Sequence, residues 1–379
     1  MSRFWQWRGR RWAIGGAVAL LGLVLPGILD PYWTQLGALI FAASIGAIGL
    51  MLLFGRVGQL SFGHSFFLAV GAYSYVWIAS PGNDGTGWGL GLPSLLAIPL
   101  SMAIAGVAGL ILSPIASRVK GLTLGLATLS LVFIGVWLLN TLEPLTGGYN
   151  GRNAPVLRIG AFSSAGSDLA VLGVPIGSAQ FLWYVTLILL AAVSAFTVTL
   201  LRGRVGRAFT AIRDAEVHAA ALGVDVVRYR AIAFTISSAY AGLAGVLLAI
   251  IIQRLTPSYW GLSLTLSYLA MIVIGGLRSV GGAVLGAVVV IGLPAVLQKY
   301  GYAIPGVGSE GGPGLGPAVV AQVVYGLIVI IVLIFAPEGL VQILTRLVPA
   351  RWRRPRATGA ATPAGDEDDD NVVPILLKP

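Results

Sequence analysis

The chain has 379 residues, of which 57% are hydrophobic and 10% charged, with a formal net charge of +10. That balance excludes a water-soluble globular domain, because most of its surface would then be apolar. Cysteine is absent, which excludes disulfides and thiolate metal sites.

With lipid as the solvent, each crossing needs about 20 consecutive apolar residues, since every backbone N–H and C=O must be satisfied inside its own segment. Apolar stretches between charges and Gly/Pro clusters predict spans at 13–29, 35–54, 60–80, 90–112 and 122–140, then at 181–201, 231–252, 262–276, 282–298 and 318–336. The start, with Arg8, Arg10 and Arg11 ahead of an apolar stretch, has the look of a secretory signal. No small-residue cleavage pattern follows Pro26 and the next span comes quickly, so it is read as a retained helix. The eighth span is short and carries Ser263, Thr265 and Ser267, which leaves a tilted, a broken and a partly buried helix open.

The expected fold class is an all-α integral membrane protein, a polytopic bundle of about ten transmembrane helices with N- and C-termini cytoplasmic. Basic residues agree with that alternation. With the N-terminus inside, only Arg152, Arg158, Arg254 and Lys299 fall in outer loops, and all other Lys and Arg lie on the inner side. Topology thus accounts for the positive charge without a nucleic-acid partner. Residues 1–12 are expected as a cytosolic N-terminus and 13–340 as the transmembrane domain, with an external segment at 141–180 and a cytosolic loop at 202–230. Residues 341–379 read as a cytosolic tail, basic and then acidic through Asp366, Glu367, Asp368, Asp369 and Asp370, with the composition of a disordered segment. The apolar close at 372–377 is either a neutral end or a docking segment. Glycine occurs 52 times, and Gly121/Gly125 and Gly282/Gly286 sit at GxxxG spacing, which marks a packing face or arises by chance.

Every Asp and Glu falls in a loop, a helix end or the tail. No intramembrane carboxylate is then available to relay a proton or hold an ion. This weakens an ion-coupled secondary transporter, while leaving one that coordinates ions through backbone carbonyls. Lys120, Lys299 and Lys378 are followed by Gly, Tyr and Pro, so no GxxxxGK[ST] phosphate loop exists, and neither HExxH nor GxSxG occurs. The chain is expected to be no enzyme and to bind no cofactor or metal of its own.

Two regions carry candidate functional residues. The cytosolic run from Arg202 to Gly223 reads as one helix with a glycine stop, Phe209, Ile212, Ala219 and Leu222 recurring near helical spacing. Its candidates are Arg204, Gly206, Arg207, Arg213, Asp214, Glu216, Ala220 and Gly223. Such a helix can dock into a partner's groove, or the run is simply a basic juxtamembrane loop. The second set lies along the expected path or gate: Ser61, His64 and Ser65 at the inner start of the third span, and Asn140, Thr146 and Asn150 at the outer mouth of the fifth. The first three can satisfy carbonyls around a kink at Gly63, with His64 as a solute ligand the competing role. The last three either meet solute or build a turn with Gly147 and Gly148.

Several of these stretches carry a resemblance. Gly206-Arg207-Ala208 through Ala211-Ile212-Arg213-Asp214 to Ala220 and Leu222-Gly223, followed by Arg228-Tyr229 and Ala241-Gly242-Leu243-Ala244-Gly245, is similar to the coupling region of the branched-chain amino acid permeases. Leu60-Ser61-Phe62-Gly63-His64, Gly71-Ala72-Tyr73, Thr146-Gly147-Gly148 with Asn150-Gly151, Gly275-Gly276-Leu277 with Ser279, and Pro337-Glu338-Gly339-Leu340 match in the same order over roughly residues 35 to 340. The sequence departs from the family at Arg56-Val57, where an aromatic and Thr often stand, and its Glu-Ala-Ala signature is loose at Glu216 to Gly223. The resemblance implies the transmembrane subunit of an ATP-driven importer in the bacterial inner membrane, carrying leucine, isoleucine and valine. It also implies the partners: a paralogous second permease, two ATPase subunits holding ATP and Mg at the 202–230 loop, and an extracytoplasmic solute-binding protein. Urea and short-chain amide permeases share most of these motifs and stay open as the alternative, as does the ion-coupled transporter.

Overall fold

The computed structural model describes residues 22–81, 89–119, 121–159, 162–164, 169–171, 174–300, 316–335 and 339–341. Most of the expected first span and the tail beyond 341 lie outside the described residues. Helix α1 is Pro31–Leu50, opened by a proline at a position where no hydrogen bond is forfeited, and it continues as a wide π-type turn, Met51–Val57. Then come α2 His64–Ala79, α3 Ser94–Arg118, α4 Gly121–Thr141 and the short α5 Glu143–Thr146. The segment between α5 and α6 holds short strands, β1 Arg152–Asn153, β2 Arg158–Ile159, β3 Phe162–Ser163, β4 Leu169–Val171 and β5 Val174–Ile176. The second half contains α6 Ser178–Arg202, α7 Arg204–Asp214, α8 Glu216–Ala221, α9 Val226–Ile252, β6 Arg254–Leu255 and α10 Leu262–Gly275. It closes with α11 Val280–Ala287, a second wide turn Val288–Gly292, α12 Leu293–Tyr300 and α13 Pro317–Phe335.

Six helical stretches among the described residues are long and apolar enough to cross a membrane: Pro31–Val57, Ser94–Arg118, Gly121–Thr141, Ser178–Arg202, Val226–Ile252 and Val280–Tyr300. Each overlaps an expected span. Expected span 60–80 begins late, because Gly58 turns left-handed (φ 79°) and the Phe62 amide donates to Thr128 Oγ1 on α4 (2.9 Å) instead of joining a helix. The eighth span is a 14-residue helix behind a 3₁₀ turn, Pro257–Trp260.

Burial divides the helices into inner and outer. The apolar windows of α1 and α9 are 83% and 78% buried, whereas those of α3, α4, α6 and the α11–α12 stretch reach at most 33%. The outer helices bare Leu95, Val107, Ile111, Leu126, Phe133 and Trp137, the surface that lipid solvates. Lipid gives no hydrophobic push between helices, so close contact must come from small residues. A Cβ on Gly71 would land on the Gly242 backbone, one on Gly245 on the Leu68 carbonyl, and one on Gly242 on Ala105. In this way α9 meets α2 and α3 almost backbone to backbone, with Phe67 edge-on to Phe234 beside the seam. Gly282 and Gly286 do the same for α11 against α10, at Gly275 and Met271; this GxxxG pair is a packing face. Of the other pair, Gly125 packs on Phe62 and Gly121 touches nothing.

Proline in α3 is compensated locally. Pro114 has no N–H for the Leu110 carbonyl, and the Ser113 hydroxyl donates to that carbonyl instead (2.7 Å). Contacts between helix ends fall on two faces. At one, Arg213 meets Gly55, Gln59 meets Ala116, Arg230 meets Ser117 and Gly339 packs on Gly276. At the other, β1 pairs antiparallel with β6, and Lys299 lies over the rings of Tyr32 and Trp33 at 4.7 and 4.8 Å.

Gly245→Leu is expected to cost about 3 kcal/mol or prevent assembly of the bundle, because the new side chain falls on backbone that cannot move aside. Gly326→Leu in α13, where an added Cβ would meet none of the described residues within 4 Å, leaves the melting temperature in detergent unchanged; thermal unfolding of the two variants checks this.

Candidate functional site

The 202–230 loop is a pair of helices folded back on the bundle. In α7, Gly206, Ala208, Phe209 and Ile212 face inward, with Gly206 lying against the Leu201 backbone, while Arg204, Arg207 and Asp214 are exposed. Arg213 is half-buried, and its Nη1 donates to the Gly55 carbonyl in the wide turn of α1 (2.7 Å). Burial, and after it the neighbouring Arg278, pushes the Arg213 guanidinium below its usual pKa, with Asp214 acting the other way.

The single helix expected here is two. Ala215 adopts an extended conformation (φ −155°, ψ 81°) that ends α7, and α8 restarts at Glu216 in a new direction. Helical phase is lost at that break: Ala219 stays buried with Phe209 and Ile212, but Leu222 turns outward, 85% exposed, beside Val217 at 80%. Ala220 is exposed as well. Gly223 stops α8 with φ 82°, its N–H bonding the Ala220 carbonyl and the Val224 N–H the Ala219 carbonyl, a Schellman closure. Glu216 Oε2 accepts from Arg230 Nη2 (2.9 Å), and Arg230 also reaches the Ser117 carbonyl. The pair is therefore anchored to α1 through Arg213 and to α9 through Glu216, and it presents two bare aliphatic side chains among arginines.

Of the expected path residues, the structure brings Ser61, His64 and Ser65 together at the start of α2, all buried. Ser61 Oγ accepts from the Gly63 N–H (3.3 Å). Ser65 and Thr265 form a buried crosslink between α2 and α10: the Ser65 N–H donates to Thr265 Oγ1 (3.1 Å), which donates to Ser65 Oγ (2.8 Å). His64 bonds the Gly46 backbone and sets its ring 4.9 Å from that of Tyr268. Asn140 lies at the end of α4, and Thr146 and Asn150 lie in the turns that follow it. Asn140 Nδ2 donates to its own helix at Val136, Thr146 Oγ1 donates to Leu139 and Leu142 and accepts from Gly148, and the Asn150 carbonyl accepts from Arg254.

A cavity of about 500 Å³ opens between α1, α9, α10 and the wide turn Val288–Gly292. One wall is hydroxylated, with Thr256, Ser258, Tyr259, Ser263, Ser267 and Tyr268; the side formed by α1, α9 and the wide turn is aliphatic, with Leu39, Ala43, Leu248, Val290 and Ile291. Among the described residues, neither Asn140 nor Asn150 lines it, and no Asp, Glu, Lys, Arg or His does. Sequence reasoning reached this wall only as the polar serines of a short eighth span. Its other side comes from α1, α9 and a wide turn that no residue spacing announces.

A family model described as branched-chain amino acid transport system, permease component, matches residues 33–333. The chain is 30% identical over 291 residues to the high-affinity branched-chain amino acid transport system permease protein LivM of Salmonella typhimurium, covering 72% of this chain and 66% of that protein. The LivH permease protein of Escherichia coli is 28% identical over 258 residues, 67% of this chain and 80% of its own. BraD of Pseudomonas aeruginosa is 26% identical over 299 residues, 78% and 89%. The match thus spans just under two thirds of the LivM length. No solved structure matches.

Ser65→Ala and Thr265→Val are expected to be non-additive, with a coupling energy of about 1 kcal/mol, because both remove the same buried crosslink between helices. A double-mutant cycle on unfolding in detergent measures it.

Proposed function

The chain belongs to the family of branched-chain amino acid transport permeases, and from that premise we propose that it is the membrane-spanning subunit of an ATP-driven importer. It carries leucine, isoleucine and valine across the bacterial inner membrane. In this reading it has ten spans: the six long helices, the shorter α2, α10 and α13, and one ahead of residue 30, with both termini cytoplasmic. ATP and Mg belong to two ATPase partners, a second permease completes the path, and an extracytoplasmic binding protein delivers the solute.

The observation that carries the proposal is the α7–α8 pair. Val217 and Leu222 each stand as a bare apolar knob on a charged loop, suited to grooves on a partner. Its anchors supply a route for force. Arg213 holds the wide turn of α1 and Glu216 holds the start of α9, and these are the two inner helices whose outer halves, at Leu39 and Leu248, border the cavity. Closure of two ATPases against the knobs would move α1 and α9 as packed rods, opening and closing the cavity by a rigid-body shift. Arg204, Arg207 and Asp214 line the exposed side of α7, where they orient the partner electrostatically.

Val217→Asp with Leu222→Asp is expected to abolish co-purification of the ATPases without lowering the melting temperature, since both side chains lie outside the core. Arg213→Ala and Glu216→Ala are expected to keep the complex assembled but cut solute uptake per ATP hydrolysed, measured in nanodiscs and proteoliposomes. A chain that assembles with no ATPase and transports leucine on an ion gradient alone would overturn the proposal. The lack of cysteine permits a direct topology test. Thr210→Cys should react with an impermeant maleimide only after the cells are opened, and Tyr149→Cys in intact cells.

A further inference from the structure

We propose that the cavity between α1, α9, α10 and the Val288–Gly292 turn is a solute-binding station for an aliphatic α-amino acid in its zwitterionic form. It recognises the head group by hydroxyls and free amides and the side chain by the opposite wall. This rests on the importer reading and names the place and chemistry of recognition within it.

The volume, about 500 Å³, lies within the usual range of small-molecule sites, about 300–1,000 Å³. Irregular backbone borders it twice, at the 3₁₀ turn Pro257–Trp260 and the wide turn Val288–Gly292. In a bilayer such backbone persists where it lines a cavity, and broken helices of this kind hold the solute in other transporters. Helix α10 begins directly behind the 3₁₀ turn with Gly261 at its N-cap and no side chain capping it. Its first-turn N–H groups and the positive end of its dipole meet the cavity at Ser263 and Leu264, an environment for a carboxylate.

A second, independent feature points to a ligand. Tyr268 is 1% exposed, lines the cavity, and its hydroxyl has no hydrogen-bond partner among the described residues. A buried hydroxyl is normally paired. The ring is fixed by close contact with Gly46, where a Cβ would stand 2.6 Å from Cε1, and by the His64 ring at 4.9 Å. The hydroxyl is therefore held in position, and a bound polar head would supply the missing partner.

Among the described residues no charged side chain lines the cavity to compensate a solute with net charge, so a lone cation or anion would be desolvated without a counter-ion. A zwitterion carries both charges and needs only dipoles. Leu39, Val290 and Ile291 on the facing wall offer apolar area that a branched side chain fills. Urea has no apolar group to place there and would leave its polar atoms unpaired against that wall.

The test uses the assembled importer in proteoliposomes with saturating binding protein and radiolabelled solutes. Tyr268→Phe is expected to reduce leucine flux at least about tenfold. Ile291→Ala, which enlarges the aliphatic wall, is expected to raise the ratio of phenylalanine to valine transport. Ser130→Ala on the exposed side of α4 should change neither. Unaltered flux and ratio in both cavity variants, in a complex whose ATP hydrolysis still rises with loaded binding protein, would overturn this site and leave the importer reading standing. Transport of urea in preference to leucine would overturn the amino-acid assignment. Failure of the wild-type chain to assemble with any ATPase would remove the importer reading and this site with it.

Discussion

The architecture depends on the near backbone contact of α9 with α2 and α3. In lipid there is no hydrophobic gain from burying one apolar helix against another, so dispersion at short range must hold the bundle, and it is strongest where side chains are smallest. Gly71, Gly242 and Gly245 bring the axes together. The close approach also makes α9 an inner helix, with α1 and α2 packed beside it, while α3, α4, α6 and the α11–α12 stretch are left to meet lipid.

That inner pair connects the two faces of the molecule. On one, the loop helices grip α1 at Gly55 and α9 at Arg230; on the other, the same helices wall the cavity with Leu39 and Leu248. Both grips are charge-assisted hydrogen bonds in partly buried surroundings, stronger and more directional than an exposed ion pair. The loop and the cavity are therefore joined by a short path through two closely packed helices.

The elements most legible in the sequence were those set by composition over a long window. The six long helices coincide with apolar runs, since nothing but a helix satisfies the backbone in lipid. The glycine stop at Gly223 was legible too, because only a residue without Cβ takes that φ at little cost. Local departures were not. Ala215 is a good helix former that nonetheless breaks a helix, because Arg213 and Glu216 are drawn to different anchors on α1 and α9. The late start of α2 has a similar cause: Phe62 gives its amide to Thr128 on a distant helix.

From the sequence alone follow the membrane, the alternation of basic loops, the absence of a phosphate loop and the glycine stop at Gly223; all are properties of residues near one another in the chain. The tertiary structure alone decided which helices lie inside, which GxxxG pair packs, which way Leu222 points and where a cavity forms. Each of these depends on pairs far apart in sequence, such as Ser65 with Thr265, Gly245 with Leu68 and Gly46 with Tyr268. In a chain so uniformly apolar, hydrophobic periodicity carries no signal for such pairs, because the lipid-facing and protein-facing sides of a helix are built from the same residues.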